Sequence, residues 1–183
     1  MKKITVFILL ACMMLSLCAC SVEEEKTPYV PGTVEGDRYE NAGLGFGFTL
    51  PEGWEFLDSD GEMTAAMADG MASVSVTVED MGALYGELLS AEEYRALVSE
   101  NLTDDMKNAG YTEPAWEMNQ PVFLGAATEG IHSLGGWTLG DGQSHAYYTQ
   151  TVYIMKDGRM ITIAAHSFLD DLTGDILALF FSL

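Results

Sequence analysis

The chain has 183 residues, and its 8 Lys and Arg residues face 28 Asp and Glu residues, a formal net charge of −20 at pH 7. Nucleic-acid binding draws its affinity from basic side chains that meet phosphates, so this charge argues against a nucleic-acid partner. The 3 cysteines, Cys12, Cys18 and Cys20, all precede Ser21, so the rest of the chain has no disulfide and no cysteine metal site.

The chain begins with a pattern that is typical of an export signal. Two lysines follow Met1, and residues 4–17 are almost wholly apolar, as in the charged and apolar regions of a signal peptide. The run is shorter than the roughly 20 apolar residues that cross a bilayer as a helix. An acidic, polar segment follows it without a stop-transfer pattern. The pattern predicts a leader over residues 1–19 that is later removed.

The end of this leader resembles the lipobox of bacterial lipoproteins. In Leu17-Cys18-Ala19-Cys20, a leucine stands three residues before Cys20 and a small residue directly before it. The resemblance implies cleavage between Ala19 and Cys20, acyl chains such as palmitate on Cys20, and attachment to the extracytoplasmic face of the cell membrane. A reading that ends at Cys18 puts the bulky Leu17 where a small residue is wanted, and an ordinary secreted protein is the remaining alternative.

A flexible tether is predicted after the anchor. Residues 20–37 contain prolines, glycines and several acids but few apolar side chains, a composition typical of a disordered or extended linker. A single globular domain is predicted over residues 38–183.

The first half of this domain alternates strands and helices in the prediction. Residues 44–50 alternate apolar side chains with glycine or threonine, which predicts a strand with a glycine side open to close approach. Trp54, after the turn at 51–53, is predicted to fill the core. Residues 58–62 do not fit a calcium loop, because the sixth position is Met63 and the twelfth is Asp69. A short helix is predicted over 62–69 and a strand over 72–78.

A long amphipathic helix is predicted next. Ser90 and Glu93 have the spacing of a capping box, and Gly110 stands where a helix from Ser90 to about Ala109 would stop. The apolar positions recur at helical spacing on one face: Tyr94, Leu97, Val98, Leu102 and Met106.

The remainder is predicted to be a β-meander that ends in a helix. Tight turns are predicted at Asp141-Gly142 and at Asp157-Gly158. The second turn sets Ile154 opposite Ile161 and Val152 opposite Ile163 on a core face. On the other, mixed face it sets Tyr153, Thr151 and Thr149 opposite Thr162, Ala164 and His166. The first turn is predicted to set His145 opposite Thr138, and a last helix is predicted from Gly174 to about Phe181.

The sequence contains no pattern that singles out a catalytic, cofactor or metal site. The three histidines, His132, His145 and His166, are not forced together by the predicted registers, so solvated or locally bonded histidines are favoured over a zinc site. No serine lies in a nucleophile-elbow pattern, and no glycine-rich phosphate loop with its lysine is present.

The order of these elements resembles PsbP-like domains. The similarity is strongest in Gly45-Phe46-Gly47-Phe48-Thr49-Leu50-Pro51-Glu52-Gly53-Trp54 and in Lys156-Asp157-Gly158-Arg159, and small lipoproteins of Gram-positive anaerobes thought to share the fold are closer still. The resemblance implies an α+β fold, a PsbP-like α/β/α sandwich with an antiparallel sheet of about 5–7 strands between helices. It implies an accessory role without enzymatic activity, and no family site residue can be transferred to this chain.

The sequence thus predicts a lipid-anchored, extracytoplasmic binding or accessory module without a cofactor. Its partner would be a protein or a small molecule of unknown identity. Two alternatives remain open. One is an envelope hydrolase that uses acids and a histidine near Thr149 and His166, and the other is a module that responds to cations through its acidic surface.

Overall fold

Antiparallel β-strands are the main secondary structure of the described residues. The computed structural model describes residues 28–82, 89–168 and 170–183, and residues 31–183 form one compact unit. A large sheet of seven strands has the order β4-β5-β6-β12-β11-β10-β7, and a small sheet of four has the order β1-β2-β3-β13. The strands and helices are β1 (Thr33–Glu35), β2 (Arg38–Asn41), β3 (Phe46–Thr49), β4 (Trp54–Phe56), β5 (Met63–Met67), β6 (Ala72–Asp80), α1 (Ala91–Ser99), α2 (Leu102–Asn108), β7 (Thr112–Asn119), β8 (Val122–Phe123), β9 (Ala126–Ala127), β10 (Glu129–Thr138), β11 (Ser144–Lys156), β12 (Arg159–Phe168), α3 (Thr173–Leu177) and β13 (Phe180–Ser182).

The two faces of the large sheet are covered by different layers. Helices α1 and α2 pack on what we call the helix face, where Tyr94, Val98 and Leu102 lie against the buried Ile131 and Tyr153. The other face carries the buried aliphatic side chains of β6, β11 and β12, namely Val74, Val76, Val152, Ile161 and Ile163. The small sheet and α3 belong to this second side.

The predicted fold class is confirmed, but one of the two outer layers, predicted to be helical, is mainly a second β-sheet. The side opposite α1 and α2 is covered by a four-stranded sheet and the five-residue α3. Ring contacts fill the space that a long helix would occupy, including Phe48 against Phe56 of β4 at 6.5 Å and Phe48 against Phe180 of β13 at 4.9 Å. The last helix is therefore shorter than predicted, because Phe180 lies in β13 and pairs there with Phe48 of β3.

The prediction of a helix over residues 62–69 is wrong. This segment is β5, which pairs with β4 on one side and β6 on the other. Met63 and Met67 are four residues apart, a spacing that puts side chains on one face of a strand as well as of a helix. This spacing therefore does not distinguish a helix from a strand, and the segment forms a strand. Trp54 is also only half-buried, so the prediction that it fills the core is wrong.

The predicted long helix is two helices. The capping box at Ser90 and Glu93 is present. The helix is interrupted between α1 and α2 at Asn101, whose φ and ψ of −115° and 7° are not helical. This interruption lets α1 contact β10 and β11 while α2 contacts β7. Leu97, predicted to lie on the buried stripe, is 56% exposed.

The ordered sheet begins before Arg38, the predicted start of the domain. Strand β1 pairs with β2, with Val34 opposite Tyr39, so residues 33–35 of the predicted tether belong to the small sheet. The glycine side of β3 is confirmed as a site of close approach, because the Phe181 ring lies where a side chain of Gly47 would stand. Within the described ranges, no helix is both long and apolar enough to cross a membrane.

Candidate binding surface

An aromatic cluster lies on the helix face, at the end of the sheet away from α1. Its five rings come from the turn after α2 and from three strands, and each is half-buried, so the cluster reaches solvent: Tyr111, Trp137, Tyr147, His166 and Phe168. Aromatic side chains that combine a large apolar area with a polar atom are enriched in protein interfaces. We therefore take this cluster as the candidate site.

Tyr147 stands at the centre of the aromatic cluster. Its ring centroid lies 5.1 Å from that of Tyr111, 5.6 Å from Trp137 and 4.4 Å from Phe168. The His166 ring is parallel to it at 5.7 Å. Tyr111 and Trp137 meet edge to face at 5.3 Å, an arrangement that aromatic pairs prefer because of the ring quadrupole. The rings are thus held by one another, not only by the backbone.

The strand registers place four of these rings. Tyr147 pairs with Phe168 between β11 and β12, and Thr149 pairs with His166, as predicted from the tight turn at 157–158. The other hairpin is one residue out of the predicted register, since His145 lies opposite Trp137 and not opposite Thr138. The physical reason is a three-residue loop, 140–142, which the hydrogen bond from the Leu139 amide to the Gln143 carbonyl closes and in which Gly142 has a φ of +78°.

Tyr111 reaches the cluster because of a glycine and a bulge. Its ring lies over Gly135, in the space that a side chain would occupy. Opposite Gly135 the pairing of β10 with β7 shifts between Leu134 and Gly136, and Glu113 in the shifted part of β7 has a φ of +53°. A bulge of this kind redirects neighbouring side chains and is common beside functional sites.

A chain of polar atoms runs beneath the rings. The Tyr111 hydroxyl lies 3.3 Å from Thr149 Oγ1, which lies 3.1 Å from His166 Nδ1. Burial lowers the pKa of His166, so its neutral form is favoured. Burial is also the main cause that raises the pKa of Tyr111 and of Tyr147. These groups remain uncharged at neutral pH, which suits an apolar contact surface.

The hydrolase alternative receives one geometric observation from this chain of atoms. Thr149 and His166 lie within hydrogen-bond reach, as a nucleophile and its base would. However, Thr149 is only 7% exposed, and its hydroxyl contacts the Tyr111 hydroxyl on the other side. An incoming carbonyl group would have to displace rings of the cluster before it met this oxygen.

The other two histidines lie in separate places. His132 Nε2 is 2.9 Å from Asp171 Oδ2, and His145 Nε2 is 2.7 Å from Asp141 Oδ2. The preference for locally bonded histidines is in keeping with these contacts. Among the described residues, no group of three or more His, Cys, Asp or Glu side chains is arranged to hold a metal ion. The proposed lipid site, Cys20, lies outside the described residues.

Sequence reasoning identified the mixed face at Thr149 and His166 but missed the rings around it. The confirmed register already contained part of the signal, because Tyr147 and Phe168 lie two residues beyond Thr149 and His166 on the same face. Trp137 was lost through the one-residue error in the other hairpin. Tyr111 follows a helix, and only the pairing of β7 shows where it lies.

Comparisons with known proteins show no family for this chain. No family model matches the chain, and no curated protein matches it. Cyanobacterial PsbP (CyanoP) from Synechocystis sp. PCC 6803 is similar in structure, with 14% identity and a TM-score of 0.45 over 92% of this chain and 99% of that one. A Bacteroides thetaiotaomicron protein has 11% identity and a TM-score of 0.49 over 82% of this chain and 49% of its own.

A third similar structure is LpqN, described as involved in cell envelope biogenesis of Mycobacterium tuberculosis. It has 14% identity and a TM-score of 0.43, over 73% of this chain and 76% of its own. At such identities the role of this chain has to be argued from its own residues.

Proposed function

We propose that this chain is a lipid-anchored, extracytoplasmic lipoprotein that binds a partner through the aromatic cluster and catalyses no reaction. The observation that carries the binding role is the cluster itself. Five neighbouring rings are only partly buried, so they form one continuous aromatic surface that reaches solvent. Exposed apolar surface of this kind costs free energy in water, which contact with a partner recovers.

Trp and Tyr also suit this role energetically. They carry much of the binding free energy at protein interfaces, because each offers a large rigid area and loses little side-chain entropy. In the cluster, Trp137 and Tyr111 are held by ring contacts, so binding would order few additional side chains. A preorganised surface loses less free energy on association.

The proposed anchor rests on the sequence of residues 17–20 and on the acyl chains that Cys20 would carry. Each buried methylene contributes about 0.8 kcal/mol, and two or more acyl chains hold a protein stably at a membrane. The strong negative charge of the chain disfavours adsorption of the domain on anionic lipid. The domain would therefore stand in solution at the end of its lipid anchor.

Two experiments test the two halves of this proposal. Cys20→Ala should release the protein from membranes or leave an unprocessed precursor, with Cys18→Ala as the matched control that still fractionates with membranes. Cys20→Ala protein of mature size that stays in the membrane would contradict the anchor. For binding, affinity capture from the native membrane should lose its partner in Trp137→Leu and keep it in Leu97→Ser, which alters an exposed leucine on α1.

The hydrolase is a second candidate because of the 3.1 Å contact between Thr149 and His166. A panel of ester and amide substrates assayed with the wild type, Thr149→Val and His166→Ala separates the two roles. Activity that disappears in both variants would support the enzyme. Equal activity in all three proteins would exclude this pair as its source.

A further inference from the structure

The charges around the aromatic cluster are mainly negative. Asp141 contacts His145, which lies opposite Trp137. Asp170 follows Phe168 closely and is exposed, and Glu113 is exposed in the bulge beside Tyr111. Such acids leave the rings apolar but add negative potential near them.

Few basic groups oppose this charge. The described part of the chain has five Lys and Arg residues. Lys107 in the last turn of α2 is the one nearest in sequence to the cluster, and its Nζ is 4.0 Å from Asp104 Oδ1. Arg95 of α1 forms an ion pair with Glu129 at 2.6 Å. Lys156, beside the turn between β11 and β12, donates a hydrogen bond to the Leu44 carbonyl. A cationic group from outside would thus meet rings and acids together.

The same molecule already binds a guanidinium group in this way. The Arg38 Cζ atom lies 4.6 Å from the centroid of the Phe181 ring, and one of its nitrogens is 2.6 Å from Glu40 Oε1. The guanidinium lies over a ring and contacts a carboxylate, a combination that the compact ammonium of lysine fits less well. The aromatic cluster offers larger rings and several neighbouring acids.

We propose that the aromatic cluster binds an arginine-bearing segment of a partner protein, with a guanidinium group stacked on the Trp137 ring in the neighbourhood of the acids Asp141 and Glu113. This inference rests on the proposed binding function and adds the chemistry of the partner. Trp, Tyr and Arg are the residues most enriched at interface hot spots. A cation over an aromatic face contributes about 0.5–1 kcal/mol when exposed and ~2 kcal/mol when desolvated.

The test uses the full lipoprotein in detergent micelles and a dye-labelled peptide of the sequence Gly-Arg-Gly-Arg-Gly. Two matched peptides replace arginine by lysine or by citrulline, which has nearly the same shape as arginine but no charge. Fluorescence anisotropy measures the dissociation constants. The arginine peptide should bind tighter than the lysine peptide, and the citrulline peptide should bind weakest.

Variants locate the binding on the chain. Trp137→Leu should weaken the arginine peptide about two- to five-fold, the change expected for an exposed cation–π contact, and Trp137→Phe should restore part of the loss. Asp141→Asn should weaken binding as well, whereas Glu52→Gln, which removes an exposed charge beside β4, should not. Near-ultraviolet circular dichroism verifies that each variant is folded.

Three results would overturn the inference: no binding of the arginine peptide at millimolar concentration, equal binding of the citrulline or lysine peptide, or wild-type affinity in Trp137→Leu. The outcome is separable from that of the proposed function. If captured partners depend on Trp137 while the arginine peptide does not bind, the cluster is a binding surface for a different chemistry. If neither depends on Trp137, both proposals fail.

Discussion

The carboxylate of Glu62 ties the N-terminal strands to the large sheet, and its removal tests how the domain is closed. Its Oε1 atom accepts hydrogen bonds from the Gly32 amide, from the Tyr39 hydroxyl at 2.7 Å and from the Asn41 side-chain amide at 2.8 Å. Tyr39 and Asn41 are 0% and 2% exposed. Water therefore cannot readily replace the carboxylate while the domain stays folded.

The size of the effect follows from these three contacts. A hydrogen bond to a charged group contributes about 1.5–3 kcal/mol, and three bonds that share one oxygen contribute less than their sum. We expect Glu62→Ala to lower the free energy of unfolding by ~3–6 kcal/mol, a large share of the total stability of a typical domain. Glu62→Gln keeps an oxygen acceptor but loses the charge, and should cost about 1–3 kcal/mol.

Equilibrium unfolding in urea, followed by circular dichroism, measures these differences. Glu52→Ala is the matched control, because it removes an exposed glutamate from a turn and should change stability by less than about 0.5 kcal/mol. A double-mutant cycle with Tyr39→Phe should show coupling of at least ~0.5 kcal/mol. A Glu62→Ala protein as stable as the Glu52→Ala control would refute the reasoning.

Three further predictions concern pH, a helix cap and the packing of the cluster. Burial lowers the pKa of His166 in the folded protein. Below the ordinary histidine pKa of about 6.5, the unfolded chain therefore binds more protons than the folded one. The free energy of unfolding thus decreases as the pH falls, by at most ~1.4 kcal/mol per pH unit. His166→Gln should flatten that decrease in urea midpoints measured between about pH 7.5 and 5. Ser90→Ala removes the cap of α1 and should cost about 1 kcal/mol, most of it recovered in Ser90→Thr, by the same unfolding assay. Gly135→Ala puts a methyl group into the space that the Tyr111 ring occupies and should lower the free energy of unfolding by ~1–3 kcal/mol. At Gly140, an added methyl group would have no atom within 4 Å, so Gly140→Ala should leave the melting temperature unchanged.

Local signals predicted the parts of the fold that short-range chemistry determines. The turn at Asp157-Gly158 has two residues and fixes a register, so every predicted pair from Ile154 opposite Ile161 to Thr149 opposite His166 is confirmed. The capping box at Ser90 depends on residues three apart, and it too is present. In both cases the signal lies within a few consecutive residues of the sequence.

The errors arise where distant parts of the chain decide the structure. The segment of β5 has a spacing that suits either a helix or a strand, and the pairing with β4 and β6 selects the strand. Phe180 leaves the predicted helix because Phe48 offers a strand partner. Tyr111 enters the cluster through a bulge in β7 that has no clear sequence signal. The candidate site was therefore only half visible in the sequence, as a polar pair without its rings.

The central claim is that the aromatic cluster is the surface through which this chain binds its partner. Site-specific photo-cross-linking in the native cell tests it most directly. A benzoylphenylalanine in place of His145, which lies opposite Trp137, should give a discrete cross-linked product, and the product should disappear when Trp137→Leu is added. The same probe in place of the exposed Leu97 on α1 should give none. Products of equal yield from both positions, or a product at position 145 that survives Trp137→Leu, would contradict the account.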